Sequence, residues 1–265
     1  MELTPYAPPG SDLYYTLRKL PPALRGRYLG IAALARELNR TAEEYREVSV
    51  AEKKLVWWHE DIERFFKGEA SHPILQSLMP WQSSLSQTAM LALVEANALS
   101  LKTHIFETRS ELFQHYQHLG GIKFDLIWPS PMRESREETQ ARHLLGIRDE
   151  VLRHLIHFKT FLGRQHLYFA MEDFQAHGID PKPILQLKQL HTLWPLFNEY
   201  FELPSELSSP DSLSFPRKRE SRPLRMQVLL KHKQAALMQK DHWQFSTHQI
   251  ELSPLMKLFL TTFSR

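Results

Sequence analysis

The chain has 265 residues, 42% of them hydrophobic, with 15 Phe, 8 Tyr and 6 Trp, enough apolar material for one large packed domain and too much for a disordered chain. It has no cysteine, which excludes disulfides and thiolate metal sites. Lys and Arg outnumber Asp and Glu by only 33 to 30, a balance too even to call for a nucleic-acid partner.

Met1 to Gly10 lacks the basic flank and apolar run of a secretion signal, and no stretch reaches the roughly 18 uncharged apolar residues of a membrane span. The expectation is a cytoplasmic protein for which peripheral contact with a membrane is open. Only 9 glycines are present and strand-like alternation is scarce, so the expected class is all-α. Pro21 and Pro22 sit where a helix can begin, and the run from Arg25 to Glu47 can continue it. Ser49 and Glu52 read as a capping box, followed at helical spacing by Leu55, Trp58, Ile62 and Phe65 and stopped by Gly68. Thr108 and Glu111 form a second such box, opening a helix with Leu112, Tyr116 and Leu119. Ser135 and Glu138 form a third, opening one long helix through Leu144, Ile147, Val151, Leu155, Phe158 and Leu162. His115 and His118 are read as an exposed polar face. Pro181, Pro223 and Ser253-Pro254 open the last helices. The helix with Lys231, His232, Lys233 and Lys240 is read as having a basic exposed side, with a membrane-facing role as the alternative. The stretch 204–223, rich in Ser, Pro and Arg, is read as an inserted surface loop. Its peptide SFPRKRESR resembles the translation of a palindromic repeat element of bacterial genomes, which implies a bacterial source.

Several phrases in order resemble the squalene/phytoene synthase family. They are Ser11-Asp-Leu-Tyr-Tyr15 with Leu20-Pro-Pro22, Ala35-Arg-Glu-Leu38, and Lys54-Leu-Val-Trp-Trp58 with Gly68 and His72-Pro73. Further on come Leu112 to Tyr116, Leu145-Gly146, Tyr168-Phe-Ala-Met-Glu-Asp173 with Gly178-Ile179, and Leu252 to Phe259. The resemblance spans about 250 residues and implies a single domain over 1–265. The implied fold is the isoprenoid (terpenoid) synthase helical bundle around a central cavity. The implied activity condenses two prenyl diphosphates head to head, with Mg²⁺ bridging carboxylates to diphosphate. Mg²⁺ demands hard oxygen ligands in a near-octahedral array, and aspartates four apart present two from one helix face.

The family's motifs are degenerate here. The first, D-D-x-x-D, falls on Asn39, Arg40, Thr41, Ala42 and Glu43, followed by Glu44. The second falls on His157 to Phe161, with no acid. Lys123 and Asp125 enter a stretch that is small and apolar in the family. Candidate diphosphate or pocket contacts are Ser11, Tyr15, Arg36, Glu150, Arg153 and Tyr168. Glu150, His154 and His157 lie within about 60° on one helix, a conceivable metal set. Arg36, Arg40, Arg153, His157 and Lys159 are a conceivable metal-free phosphate set. The alternative for all of these is a pocket filled by interhelical hydrogen bonds and salt bridges.

The residues therefore point to a family member without the condensation activity and without a cofactor. It would act as a scaffold or assembly factor or as a prenyl or lipid-phosphate binder. The family includes a mitochondrial assembly factor for respiratory complex I with similar losses, so a respiratory-complex component is one implied kind of partner. The alternative is an active prenyltransferase, which would need Mg²⁺.

Overall fold

The computed structural model describes residues 4–45, 47–103, 105–128, 136–202, 222–241 and 252–263. Among these the regular secondary structure is helical, and the one β-type contact is an isolated parallel bridge between Phe106 and Ala170. The helices are α1 (Asp12–Leu17), α2 (Pro22–Glu44), α3 (Val48–Phe66), α4 (Pro73–Leu78), α5 (Gln87–Lys102), α6 (Arg109–Tyr116), α7 (Ile122–Ile127) and α8 (Arg136–Ile156). They continue with α9 (Phe158–Leu162), α10 (Met171–Ala176), α11 (Pro181–Leu185), α12 (Trp194–Phe201), α13 (Arg222–Lys240) and α14 (Pro254–Phe263). The stretch 203–221 lies outside the described residues, and with it nearly all of the expected inserted loop. Arg222 and Pro223, at that loop's expected end, already belong to α13.

The proline signals hold where the backbone needs no donor. Pro22 opens α2, Pro181 opens α11 and Pro254 opens α14, because a first-turn N–H has no partner inside the helix. Tyr45 turns extended and ends α2 at Glu44, short of the expected Glu47. The box at Thr108 is complete: its side chain accepts from the Glu111 amide while Glu111 reaches back to the cap. The box at Ser49 does not form. α3 begins earlier, at Val48 with Glu47 as its cap residue, so Ser49 falls inside the first turn where its hydroxyl has no amide to cap. The apolar stripe of α3 is as expected, with Leu55, Trp58, Ile62 and Phe65 all buried.

The single long helix expected from Ser135 to Leu162 is two. Ser135 lies outside the described residues, and α8 stops at Ile156. His157 leaves helical geometry at φ −103°, ψ 17° and starts α9. No Gly or Pro marks this break.

α8 is the central strut. It packs on α13, α7, α12, α6 and the π-helical turn Gln117–Gly121 that joins α6 to α7. Two glycines set its closest approach. A Cβ on Gly120 would stand 2.0 Å from the Gly146 carbonyl oxygen, and one on Gly146 would stand 2.4 Å from the Gly120 backbone. Backbone meets backbone here, so α8 is seated against the turn more deeply than any side chain would permit.

Candidate functional site

A cavity of about 470 Å³ opens between α2 and the α8–α9 junction, within the usual range for small-molecule sites. α2 contributes Ala32, Ala35, Arg36, Asn39, Arg40, Glu43 and Glu44. α1 supplies Asp12 and Leu13, α7 supplies Lys123 and Ile127, and α13 supplies Gln227 and Lys231. Arg153, His157, Thr160 and Phe161 close the far side. Part of the lining is apolar and part is charged, as a ligand with an ionic head and a hydrocarbon tail would require.

The charges are arranged as a continuous chain from Glu43 to Lys231. Arg153 donates from Nη1 to both oxygens of Glu43 at 2.8 and 2.9 Å, and from Nε to Glu150 at 2.6 Å. Its Nη2 lies 3.0 Å from Nε2 of His154, so every guanidinium nitrogen is engaged. Lys123 donates to Glu150 at 2.5 Å and to Asp149 at 2.8 Å. Lys231 approaches the other Asp149 oxygen at 2.7 Å, and Gln227 donates to Asp149 at 2.9 Å. Three acids thus face three bases, with Asp149 and Glu150 fully buried. Burial on its own would neutralise such carboxylates, but the Arg153, Lys123 and Lys231 charges hold Glu150 well below the usual range, and the Lys123 and Lys231 charges hold Asp149 below it. Burial lowers Lys123, and Asp149 and Glu150 more than offset it, so its ammonium stays charged. Glu43 is raised by burial, with Arg153 opposing. Burial holds His157 down to about 4, with the Arg153 charge acting in the same direction.

This donor set does not suit Mg²⁺. The ion needs several anionic or neutral oxygens free to turn toward it. Of the first-motif acids, Glu43 is bound to Arg153, and Glu44 is exposed and paired with Arg40 at 3.7 Å. The facing motif presents His157, Thr160 and Phe161, with Arg153 one turn earlier. Among the described residues no group of three His, Asp or Glu side chains is placed to hold a metal. Glu150, His154 and His157 do not assemble as a metal set. Glu150 is committed to Lys123 and Arg153. His154 is buried between Tyr116 and Tyr168, with ring centroids 5.0 and 3.8 Å away. His157 lies beyond the end of α8.

The structure brings together Arg36, Asn39, Arg40, Glu43, Glu44, His157 and Phe161 on one cavity, as the motif positions imply. Arg153 joins them, and Glu150 stands directly behind it. Ser11 instead caps α1, accepting from the Tyr14 amide at 3.2 Å, and Tyr15 is buried in the core. From the same segment, Asp12 and Leu13 reach the cavity. Tyr168 is buried against His154, its phenol pushed up by burial and by the Glu43 charge. Lys159 is exposed and does not line the cavity. Sequence reasoning missed Asp149, Gln227 and the inward turn of Lys231, which was read as part of an exposed basic side. Asp149 follows the Leu145-Gly146 phrase directly, and a buried acid pair beside Arg153 was the available signal. His115 also departs from expectation. It is 1% exposed, its Nε2 is 2.9 Å from the Ser100 hydroxyl, and only His118 lies on the surface.

A bundle of helices around one cavity, with two facing motif positions on its walls, is the isoprenoid synthase architecture. The family model for squalene/phytoene synthase matches residues 7–207, and the chain belongs to that family. Two solved structures share the fold. One is the squalene synthase HpnC from Alicyclobacillus acidocaldarius, at 17% identity and TM-score 0.70, with 86% of this chain and 88% of that one covered. The other is a dehydrosqualene synthase in complex with a ligand, at 14% identity and TM-score 0.78, with 94% and 89% covered. A search of curated proteins finds no match. Among the described residues, no helix is long and apolar enough to cross a membrane.

Proposed function

We propose that this protein is a family member that binds a prenyl or lipid phosphate in the retained cavity without metal and does not condense two prenyl diphosphates. The observation that carries this reading is the closure of the acidic apparatus: Glu43 and Glu150 are both occupied by Arg153. Metal-dependent ionisation of a diphosphate relies on cations that neutralise the leaving group, and no pair of uncommitted carboxylates faces the cavity among the described residues to hold them. What remains suits recognition. Arg36 is exposed at the cavity wall and makes no ion pair with any described residue, and Arg40, itself half-exposed, is held by the buried Glu37 at 3.4 Å and the exposed Glu44 at 3.7 Å. Guanidinium groups match phosphate oxygens in geometry and charge. Leu13, Ala32, Ala35, Ile127 and Phe161 provide apolar lining for a hydrocarbon chain.

The test has two arms. Purified protein incubated with farnesyl or geranylgeranyl diphosphate and Mg²⁺ should give no squalene- or phytoene-type product. Formation of such a product, lost in Glu43→Gln, would establish the active prenyltransferase instead. In calorimetry, farnesyl diphosphate should bind equally in EDTA and in Mg²⁺, and Arg36→Ala should weaken it by roughly tenfold, the effect of one charge-assisted contact. Absence of binding in both buffers would remove the ligand-binding reading and leave a scaffold.

A further inference from the structure

The disagreement between the family's Mg²⁺ requirement and this donor set has a specific physical form. Glu43 comes from α2 and Glu150 from α8, and one guanidinium lies within hydrogen-bond reach of both. We propose that Arg153 is a resident cation that takes the place of a divalent ion between the two helices, so that the cavity excludes such ions and offers itself to a phosphate without them. The inference rests on the metal-independent reading above and deepens it.

Three observations support it. Arg153 is engaged at all of its nitrogens, and its guanidinium carbon lies 5.3 Å from the Phe161 ring centroid, so it is fixed between the walls. The charges around it, from every packed element, leave one negative charge that its own guanidinium cancels: Glu43 from α2, Lys123 from α7, Asp149 and Glu150 from α8 and Lys231 from α13. A divalent ion would add uncompensated charge beside three fixed cations. Without Arg153, Glu43 would have no ion-pair partner among the described residues, and it would face Glu150 across the gap.

The experiment uses the whole chain and Mn²⁺ as probe, with the free-ion signal read by electron paramagnetic resonance and no phosphate ligand added. The wild-type protein should leave Mn²⁺ free. Arg153→Gln should bind one Mn²⁺ roughly tenfold or more tightly, because a positive charge has been removed beside the site. Adding Glu43→Gln should abolish the gain, and Arg153→Lys should behave as wild type. If Arg153→Gln folds poorly, Mn²⁺ should raise its melting temperature, since an ion that binds only the folded chain stabilises it; it should not do so for the wild type or the double variant. Wild-type uptake of Mn²⁺ that disappears with Glu43→Gln would overturn the proposal. So would an Arg153→Gln variant that neither gains Mn²⁺ nor is stabilised by it. Failure of farnesyl diphosphate to bind in EDTA, with the Mn²⁺ results as expected, removes the ligand reading and supports the resident cation.

Discussion

Lys123 illustrates what a single side chain does in this interior. It is 7% exposed and serves two buried acids at once. Replacing it by Met keeps the packing volume but leaves Asp149 and Glu150 under-compensated. Breaking a buried pair in this way costs about 3–5 kcal/mol, so Lys123→Met should lower the urea midpoint accordingly, and a change within error would show that the chain is solvated. The histidines set a pH response. Burial holds His115, His157 and His232 down to about 4, and holds His154 well down too, against an ordinary value near 6.5. Between those values the unfolded chain binds more protons, so stability rises with pH across that window and is lost as pH falls from about 6.5 toward 4. Urea unfolding at pH 5 should show uptake of on the order of three protons, and a pH-independent midpoint between 7 and 5 would contradict the burial. The degenerate motif residues were legible one by one. Their pairing was not, because Glu43 and Arg153 are 110 positions apart and a sequence pattern carries no signal for which base a buried acid will choose.

Local chemistry was legible to different degrees along the elements. The Thr108–Glu111 box could be read because both halves of it lie within four residues, and Thr108→Ala should cost about 1 kcal/mol, measurable as a small drop in melting temperature. The same pattern at Ser49 misled, because the helix found an earlier start. The break at His157 carries no glycine or proline, and no local rule anticipates it. The Gly120–Gly146 contact is the most demanding packing feature. Gly146→Ala would push a methyl into backbone that cannot rotate aside, and overpacking of this kind costs typically about 1–3 kcal/mol. A variant as stable as wild type would mean that α8 can slide off the turn. A local effect at the glycines should leave farnesyl diphosphate affinity unchanged; a shift of α8 should weaken it, since Arg153 rides on the same helix.

For the whole molecule, the fold was legible because many weak phrases occur in the right order, and the fold comparisons agree with it at TM-scores of 0.70 and 0.78. The net charge of +3 conveyed nothing about the interior, where acids and bases cancel locally. That cancellation has a consequence for solution behaviour. Mobile ions screen exposed charges over about 10 Å at 0.1 M salt but reach a sequestered, self-neutralised cluster poorly. Thermal stability should therefore change little between low and high NaCl. Attraction of an anion to the exposed Arg36 and Arg40 should fade over the same range, so a simple salt series can separate the electrostatics that hold the bundle together from those that draw a guest to it.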